Sequence, residues 1–550
     1  MNLKFISNNL LTFVLLLILF VLIQSVVNPL FLVEELHYHF ELFDLRGLVK
    51  GTLFLTTYLL AIFFFLIIVG VESFMTFLLL LFVIFIFLSM DFFVQLLGIS
   101  HGFSIDEYCL VMNEVGNYQF LLAYLDSIIK AMFSAFLVVV ALYFIRQKVY
   151  KSRVSTRSLF ILFFPFLVVY GASYKVNTFK LSSYPAALKI PAIALEYERL
   201  SSPIKKRVLE RSIVTSSESK VQNVIWIIDE SVTGSYLSVN GYSKDTTPFL
   251  RNLDKNSSLI SNFGIASSIS NCSGQSNLFL RIGMTPRKKE KVLDQMYDLP
   301  TIFQYAKRAG YTTWLFDSQT QKDHLQNYLT LYDKESIEHF ETLGTEVNRH
   351  QKDMTLLSKF SSITNENNHN KNFIVVVKYG SHFPYLTSYN HEYTPFTPVL
   401  DVAYGGMNMA HKEKMVNSYL NSLYSSVDLY LQSLVEKVNF SKTVVFYTSD
   451  HGQNILESKH LTQTHCNNEF VVKNEVSVPL FVFTKGAKEN FPRQKDKFYS
   501  HIQIFPTTLS LFGYGKSLVD RYGKSLESGF TKSNERHYIL SSSLESKVYE

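Results

Sequence analysis

"NVIWIID", residues 223–229, is apolar apart from its two ends, rich in β-branched side chains and closed by an aspartate. A run this short, without polar alternation, reads as a strand buried on both faces, the signature of a central place in a parallel sheet. Similar runs follow: "TTWLFD" from 312, "NFIVVVK" from 372, "TVVFYTSD" from 443 and "PLFVFTKG" from 479. Long helix-compatible segments separate them, "EKMVNSYLNSLYSSVDLYLQSLVEKV" being the clearest. Strands alternating with helices predict an α/β domain with a mostly parallel central sheet over residues 221–550. Ligands of such sheets collect beyond the carboxyl ends of the strands.

The residues directly after each run therefore carry the functional reading. They are Asp229 and Glu230, Asp317, His382 in "YGSHFPY", and Asp450 with His451 in "YTSDHGQ". Singly, an aspartate at a strand end is commonly a cap or turn residue, and a lone histidine is commonly packed or solvated. Carboxylates and imidazoles delivered by separate strands to one edge make a donor set suited to Zn²⁺, ahead of Mn²⁺ or Mg²⁺ because of the histidines. A hydroxyl nucleophile has its candidates in "SNCSGQSN", residues 270–277, where serines recur at every third position. Spacing alone leaves the choice open, since small polar residues also lead an ordinary loop into a helix.

The amino-terminal third differs in kind. Of the whole chain 47% is hydrophobic and 15% aromatic, and the phenylalanines crowd into this third. Apolar runs near 9–29, 52–70, 74–95, 122–145 and 157–174 are each long enough, at roughly 17 to 25 residues, to cross a bilayer as helices. The first has no A-x-A cleavage site behind it and is expected to be a retained anchor. Asp126 and Lys130 within the fourth are expected to face other helices or the interface. Between the fourth and fifth runs, "RQKVYKSRVSTR" is strongly basic, whereas residues 91–121 hold no lysine or arginine. The positive-inside rule then places the basic loop in the cytoplasm and everything after Tyr174 on the other side. Residues 1–174 are thus expected to form a five-helix transmembrane domain, and 175–220, interrupted by Pro185, Pro191 and Pro203, an amphipathic linker along the membrane surface. The net charge of +6 comes without a basic run interleaved with aromatics, so no nucleic-acid partner is expected. Three cysteines are too few for a disulfide framework and lack paired C-x-x-C spacing.

With "DESVTGSYLSVNGYSKDTTPFL" from 229, "YGSHFPY" from 379, "YTSDHGQ" from 447 and "THC" at 464–466, the chain resembles the alkaline phosphatase and sulfatase superfamily, and within it the membrane-bound phosphoethanolamine transferases that decorate lipid A. The resemblance implies a sulfatase-like catalytic domain with one or two Zn²⁺. Glu230, Asp450 and His451 would be metal ligands, completed by the oxygen of the nucleophile. His382 and His465 would stand across the pocket on the phosphoryl group or a second metal, and Lys322 would meet the donor head group. In sulfatases the nucleophile is followed by a serine three residues on and a glycine ten on, which selects Ser273, with Ser276 and Gly283 at those intervals. Ser276 is the runner-up nucleophile, and Ser270 is expected to be a cap. "SGQSN" lacks the C/S-x-P-S-R pattern of formylglycine maturation, Ser318–Gln321 replace the family's N-x-x-G-C core, and Gln453 stands where the family often has glutamate.

Cys272 and Cys466 adjoin Ser273 and His465, so both are expected near the pocket, and an oxidising compartment would allow them to pair. The function so implied is transfer of phosphoethanolamine from phosphatidylethanolamine to a surface glycolipid such as lipid A or core oligosaccharide, or to a glycan, through a zinc-activated serine and a covalent phospho-enzyme. The protein would be a multi-pass protein of the bacterial inner membrane with its catalytic domain in the periplasm. Two other readings are a phosphoglycerol transferase of the lipoteichoic acid synthase type and a noncatalytic glycolipid-binding envelope protein.

Overall fold

The computed structural model describes residues 68–96, 125–148, 206–219, 221–284, 298–320, 325–343, 347–365, 370–400, 411–457, 464–467, 471–540 and 546–549, with 14, 17 and 18. It divides into two compact units, Met1–Ser202 and Pro203–Glu550.

In the second unit, β1 (Asn223–Asp229), β2 (Ile260–Ser267), β3 (Thr312–Asp317), β4 (His339–Thr342), β5 (Asn372–Val377), β6 (Thr443–Ser449) and β7 (Ser477–Phe483) form one sheet in the order β2-β7-β6-β1-β5-β3-β4. All seven residues of β1 are buried, and β5 and β6 flank it in parallel. The apolar runs read from the sequence are all strands, and the sheet is mostly parallel as expected. β7 is the exception, running antiparallel to both β6 and β2. Its carboxyl end therefore points away from the edge where β1, β5 and β6 finish, and the stretch after Phe483 adds nothing to the site. β2 and β4 were not legible as apolar runs. β2 carries Asn262 and Gly264 at an irregularity in its register, and β4 is a four-residue edge strand.

Alternating side chains of a strand point to opposite faces. On one face Val224, Trp226 and Ile228 join a core with Phe303, Phe373, Val375, Phe446 and Phe505. Trp226 meets Phe373 edge to face at 5.5 Å, and its indole nitrogen donates to Thr508 Oγ1 at 2.9 Å, so the buried ring has both a packing and a polar partner. The helices on this face are Ile302–Arg308 and Ile504–Leu511. On the opposite face Phe316 meets Phe360 of the helix Arg349–Asn365. Covering both faces with helices leaves only the strand ends open to ligands.

In the first unit, the helices Phe74–Leu96 and Leu125–Lys148 pack together through a core that includes Phe77, Leu81, Ile84, Ala131, Ala135 and Leu142. Arg146 donates to Val69 O at 2.9 Å and lies 4.4 Å from the centre of the Phe77 ring. Their outward faces remain apolar, with Leu79, Phe82, Phe133 and Phe136 exposed. Among the described residues these are the two helices long and apolar enough to cross a membrane. They correspond to the third and fourth expected spans. The runs near 9–29, 52–70 and 157–174 fall almost wholly outside the described residues, so two helices of the expected five are seen. Asp126 and Lys130 pair with each other at 2.6 Å in the first turns of the second helix, both exposed.

Candidate metal and nucleophile site

β1 and β6 end side by side, and their next residues turn inward together. The Asp450 amide donates to Asp229 O at 3.0 Å, and Asp450 Oδ1 accepts from the amides of Ser231 (3.1 Å) and His451 (2.7 Å). Ser231 adopts a left-handed backbone, φ 64°, a conformation that non-glycine residues take only where the surroundings hold it. Its hydroxyl donates to Glu230 Oε1 at 2.5 Å. Glu230, Asp450 and His451 thereby bring one ligand atom each to within 4.8 Å of one another, all three buried.

Ser273 is the first residue of the helix Ser273–Ile282, and Cys272 is its N-cap. The Ser273 hydroxyl lies 2.9 Å from His451 Nε2 and 3.4 Å from Glu230 Oε2. Gly283 ends this helix at φ +63°, where a Cβ would sit 2.5 Å from the Phe505 ring, so no side chain fits. The runner-up Ser276 is buried one turn along, its hydroxyl donating to Ser270 O at 3.1 Å. Ser270 is not the cap expected of it. The helix begins three residues later, and the Ser270 hydroxyl donates to Ile539 O at 2.8 Å.

The electrostatics of this cluster call for a cation. Burial raises Asp450 well above its usual range, and repulsion from Glu230 adds to it. Burial works the same way on Glu230, but hydrogen bonding and attraction from His451 outweigh it and hold that carboxyl below its usual range. Burial opposes charge on His451 too, yet Asp450 and Glu230 carry it up to about 9. Asp450 Oδ2 is buried without a hydrogen-bond partner among the described residues. His451 donates Nδ1–H to Gly452 O at 2.7 Å, which leaves Nε2 facing the cluster. Two carboxylates, one correctly oriented imidazole and an orphaned oxygen fit a divalent metal ion.

The other expected site residues divide. His465 stacks on His451 with ring centres 4.2 Å apart, and Thr464 Oγ1 lies 3.0 Å from its Nδ1. His382 bonds through Nδ1 to Phe383 O. Asp229 is a support for the site: it accepts from the Glu230 amide, Tyr447 OH and the buried Lys378. Gly380, at φ +55°, lets "YGSHFPY" pass directly over Asp229 where a Cβ would collide. Asp317 is a turn residue, accepting from the amides of Gln319 and Thr320. Lys322 lies outside the described residues.

Three contributors escaped the sequence reading. Gln319 donates to Glu230 Oε2 at 2.9 Å and to Lys378 O at 2.8 Å, steadying a ligand from the loop after β3. The rule that pointed to strand ends would have found it had amides been weighed beside carboxylates. Glu475, buried, accepts from Asn271 Nδ2 and Asn467 Nδ2, tying the loop before Ser273 to the loop after His465. The same loops are joined by a Cys272–Cys466 disulfide, the pairing that the sequence left open.

His501 is the third. Its Nε2 accepts from the Ile269 amide at 2.6 Å, and its Nδ1 donates to Ser449 O at 3.1 Å, so a neutral ring bridges the nucleophile loop and the end of β6. Burial lowers its pKa from 6.5 to about 3. Below pH 6.5 the unfolded chain takes up a proton that the folded one refuses until about 3, so stability is intact above 6.5 and lost as pH falls. Going from pH 7 to pH 5 is expected to remove about 2 kcal/mol through this group. Comparing thermal unfolding of wild type and His501→Gln across that range isolates the contribution, and an identical pH slope in both would refute it.

The residues at 222–514 match the sulfatase family model. Among curated proteins, the Kdo(2)-lipid A phosphoethanolamine 7''-transferase of Escherichia coli strain K12 is 25% identical over 306 residues, 53% of this chain and 51% of that protein. The phosphatidylethanolamine transferase Mcr-1 of Escherichia coli is 24% identical over 339 residues, 58% of this chain and 59% of that protein. The chain thus spans about half the length of the curated relatives it matches. Among solved structures, the integral membrane lipooligosaccharide phosphoethanolamine transferase A of Neisseria meningitidis superposes with a TM-score of 0.58 over 88% of this chain and 94% of that one, at 18% identity, a likeness of fold.

Proposed function

The chain belongs to the sulfatase family, and we propose that it is a phosphoethanolamine transferase of the inner membrane, moving the head group of phosphatidylethanolamine to a surface glycolipid such as lipid A. One observation carries this reading: the Ser273 hydroxyl lies 2.9 Å from His451 and 3.4 Å from Glu230, inside a buried ligand cluster that needs a cation. The curated relatives, which are named as phosphoethanolamine and phosphatidylethanolamine transferases, support the donor and the acceptor class.

Glu230, Asp450, His451 and Ser273 Oγ would hold Zn²⁺, which lowers the pKa of a bound hydroxyl as it lowers that of bound water to about 7. Ser273 Oγ, stripped of its proton, attacks the phosphorus of the donor. An Oγ–P bond forms, the bond from phosphorus to the diacylglycerol oxygen breaks, and diacylglycerol leaves with a proton. A hydroxyl or phosphate oxygen of the acceptor then displaces Oγ, which regains a proton, so the serine ends as it began. The position of Ser273 at a helix amino terminus favours the anionic phosphoryl group through the helix dipole. An apolar amino-terminal unit anchored in the bilayer would hold the protein at the membrane where lipid donor and lipid acceptor both lie, turning the search for both into a lateral one.

The test is intact mass of the full chain in detergent after exposure to phosphatidylethanolamine or phosphatidylglycerol. A phosphoethanolamine adduct on Ser273, seen only with the first lipid, is the expected result. A phosphoglycerol adduct instead would assign the chain to the lipoteichoic acid synthase type, and no adduct with either would overturn the transferase reading.

A further inference from the structure

His451 and His465 stack face to face, but their hydrogen-bond polarities are opposite. His451 turns Nδ1–H onto a carbonyl, Gly452 O, which frees Nε2 to bind a metal. His465 turns Nδ1 toward an amide nitrogen, Gln453 Nε2, at 3.4 Å, and toward the Thr464 hydroxyl at 3.0 Å. The Gln453 side chain has its orientation set from behind. It is fully buried, its backbone amide donates to Thr233 Oγ1 at 2.7 Å, and its Oε1 accepts from Tyr385 OH at 3.1 Å. With Oε1 committed to Tyr385, the two hydrogens of Nε2 are what His465 meets. A neutral imidazole whose Nδ1 accepts must carry its hydrogen on Nε2.

We propose that Gln453 fixes His465 as a hydrogen-bond donor through Nε2–H and so restricts this centre to a single metal ion. An imidazole that ligates a metal presents a lone pair and donates its other N–H to a carboxylate or carbonyl. For His465 to ligate through Nε2, its hydrogen would have to move to Nδ1, where it would face the Gln453 amide donor. His465 Nε2–H is suited instead to an anionic oxygen of the transferred phosphoryl group. A carboxylate at position 453 would reverse the polarity, accepting Nδ1–H and releasing Nε2 for a second ion. Gln453 is thus a positioning residue that decides metal stoichiometry.

This inference rests on the metal centre proposed for Glu230, Asp450 and His451, and the test separates the two. The full-length protein is equilibrated with excess Zn²⁺, passed through buffer, and its zinc counted by mass spectrometry in wild type, His465→Ala, Gln453→Glu, the double variant and Asp450→Asn. Expected are one zinc in wild type and in His465→Ala, two in Gln453→Glu, and one again in the double variant. Two zincs in wild type falling to one in His465→Ala would overturn the assignment of His465 without any need for the Gln453 variant to fold. A folded Gln453→Glu that still holds one zinc would overturn the role of Gln453. Failure of the underlying centre has a different appearance: zinc in wild type that Asp450→Asn does not remove, or no zinc at all, refutes both.

Discussion

Ser273→Ala is expected to lower head-group transfer by roughly 10³- to 10⁶-fold, because it deletes the atom proposed to bond to phosphorus while leaving the fold alone. The hydroxyl is part-buried, and among the described residues its hydrogen-bond partners are His451 and Glu230. Ser276→Ala should behave differently. Its hydroxyl bonds a backbone carbonyl within a buried turn, so the change should cost about 1 kcal/mol of stability and less than about tenfold in rate. The pair is decisive when turnover and the covalent adduct are followed together. Activity that survives in Ser273→Ala and disappears in Ser276→Ala would move the nucleophile one turn along the helix.

The second large effect concerns the ligand cluster. Asp450→Asn is expected to weaken zinc binding by at least about 100-fold and to abolish turnover at limiting metal. The same substitution should stabilise the metal-free protein. Without a cation Asp450 is a buried carboxyl beside Glu230, raised well above its usual range by burial and by that neighbour, and its Oδ2 has no hydrogen-bond partner among the described residues. An uncharged amide relieves the repulsion. Chelated wild type should therefore melt below chelated Asp450→Asn, and the order should invert once zinc is restored, since a ligand that binds only the folded state stabilises it by mass action. Equal melting temperatures with and without zinc in wild type would remove the cluster from any metal role.

Both effects were readable in outline from residue order. The β-branched runs mark strands because a strand buried on both faces has no place for polar alternation, and the topology of a parallel sheet sends their carboxyl ends to one edge. Glu230, Asp450 and His451 are among the residues that reach that edge, with Asp229, Asp317 and His382, and the resemblance to the sulfatases is what marked the three as ligands. The two apolar helices beginning at Phe74 and Leu125 follow from length and hydrophobicity alone.

Other contributors could not be read in this way. Ser273 and His451 stand 178 residues apart, and Gln319 reaches Glu230 across 89, so no local pattern links them. An aspartate after a strand looks the same in sequence whether it becomes a ligand, as Asp450 is placed to be, or a turn residue like Asp317, or the partner of a buried lysine like Asp229. The antiparallel course of β7 is likewise invisible, because buried strands of either direction are equally apolar.

Local order along the chain determined which segments become strands, which become long apolar helices and which residue types arrive at the open edge of the sheet, since those depend on hydrophobic period and chain propensity over a few residues. Tertiary structure alone decided which of those residues face one another, how the imidazoles of His451 and His465 are polarised, and which loops Cys272, Glu475 and His501 bind together. Hydrogen-bond direction and burial are properties of neighbours in space, and here those neighbours come from segments far apart in the chain.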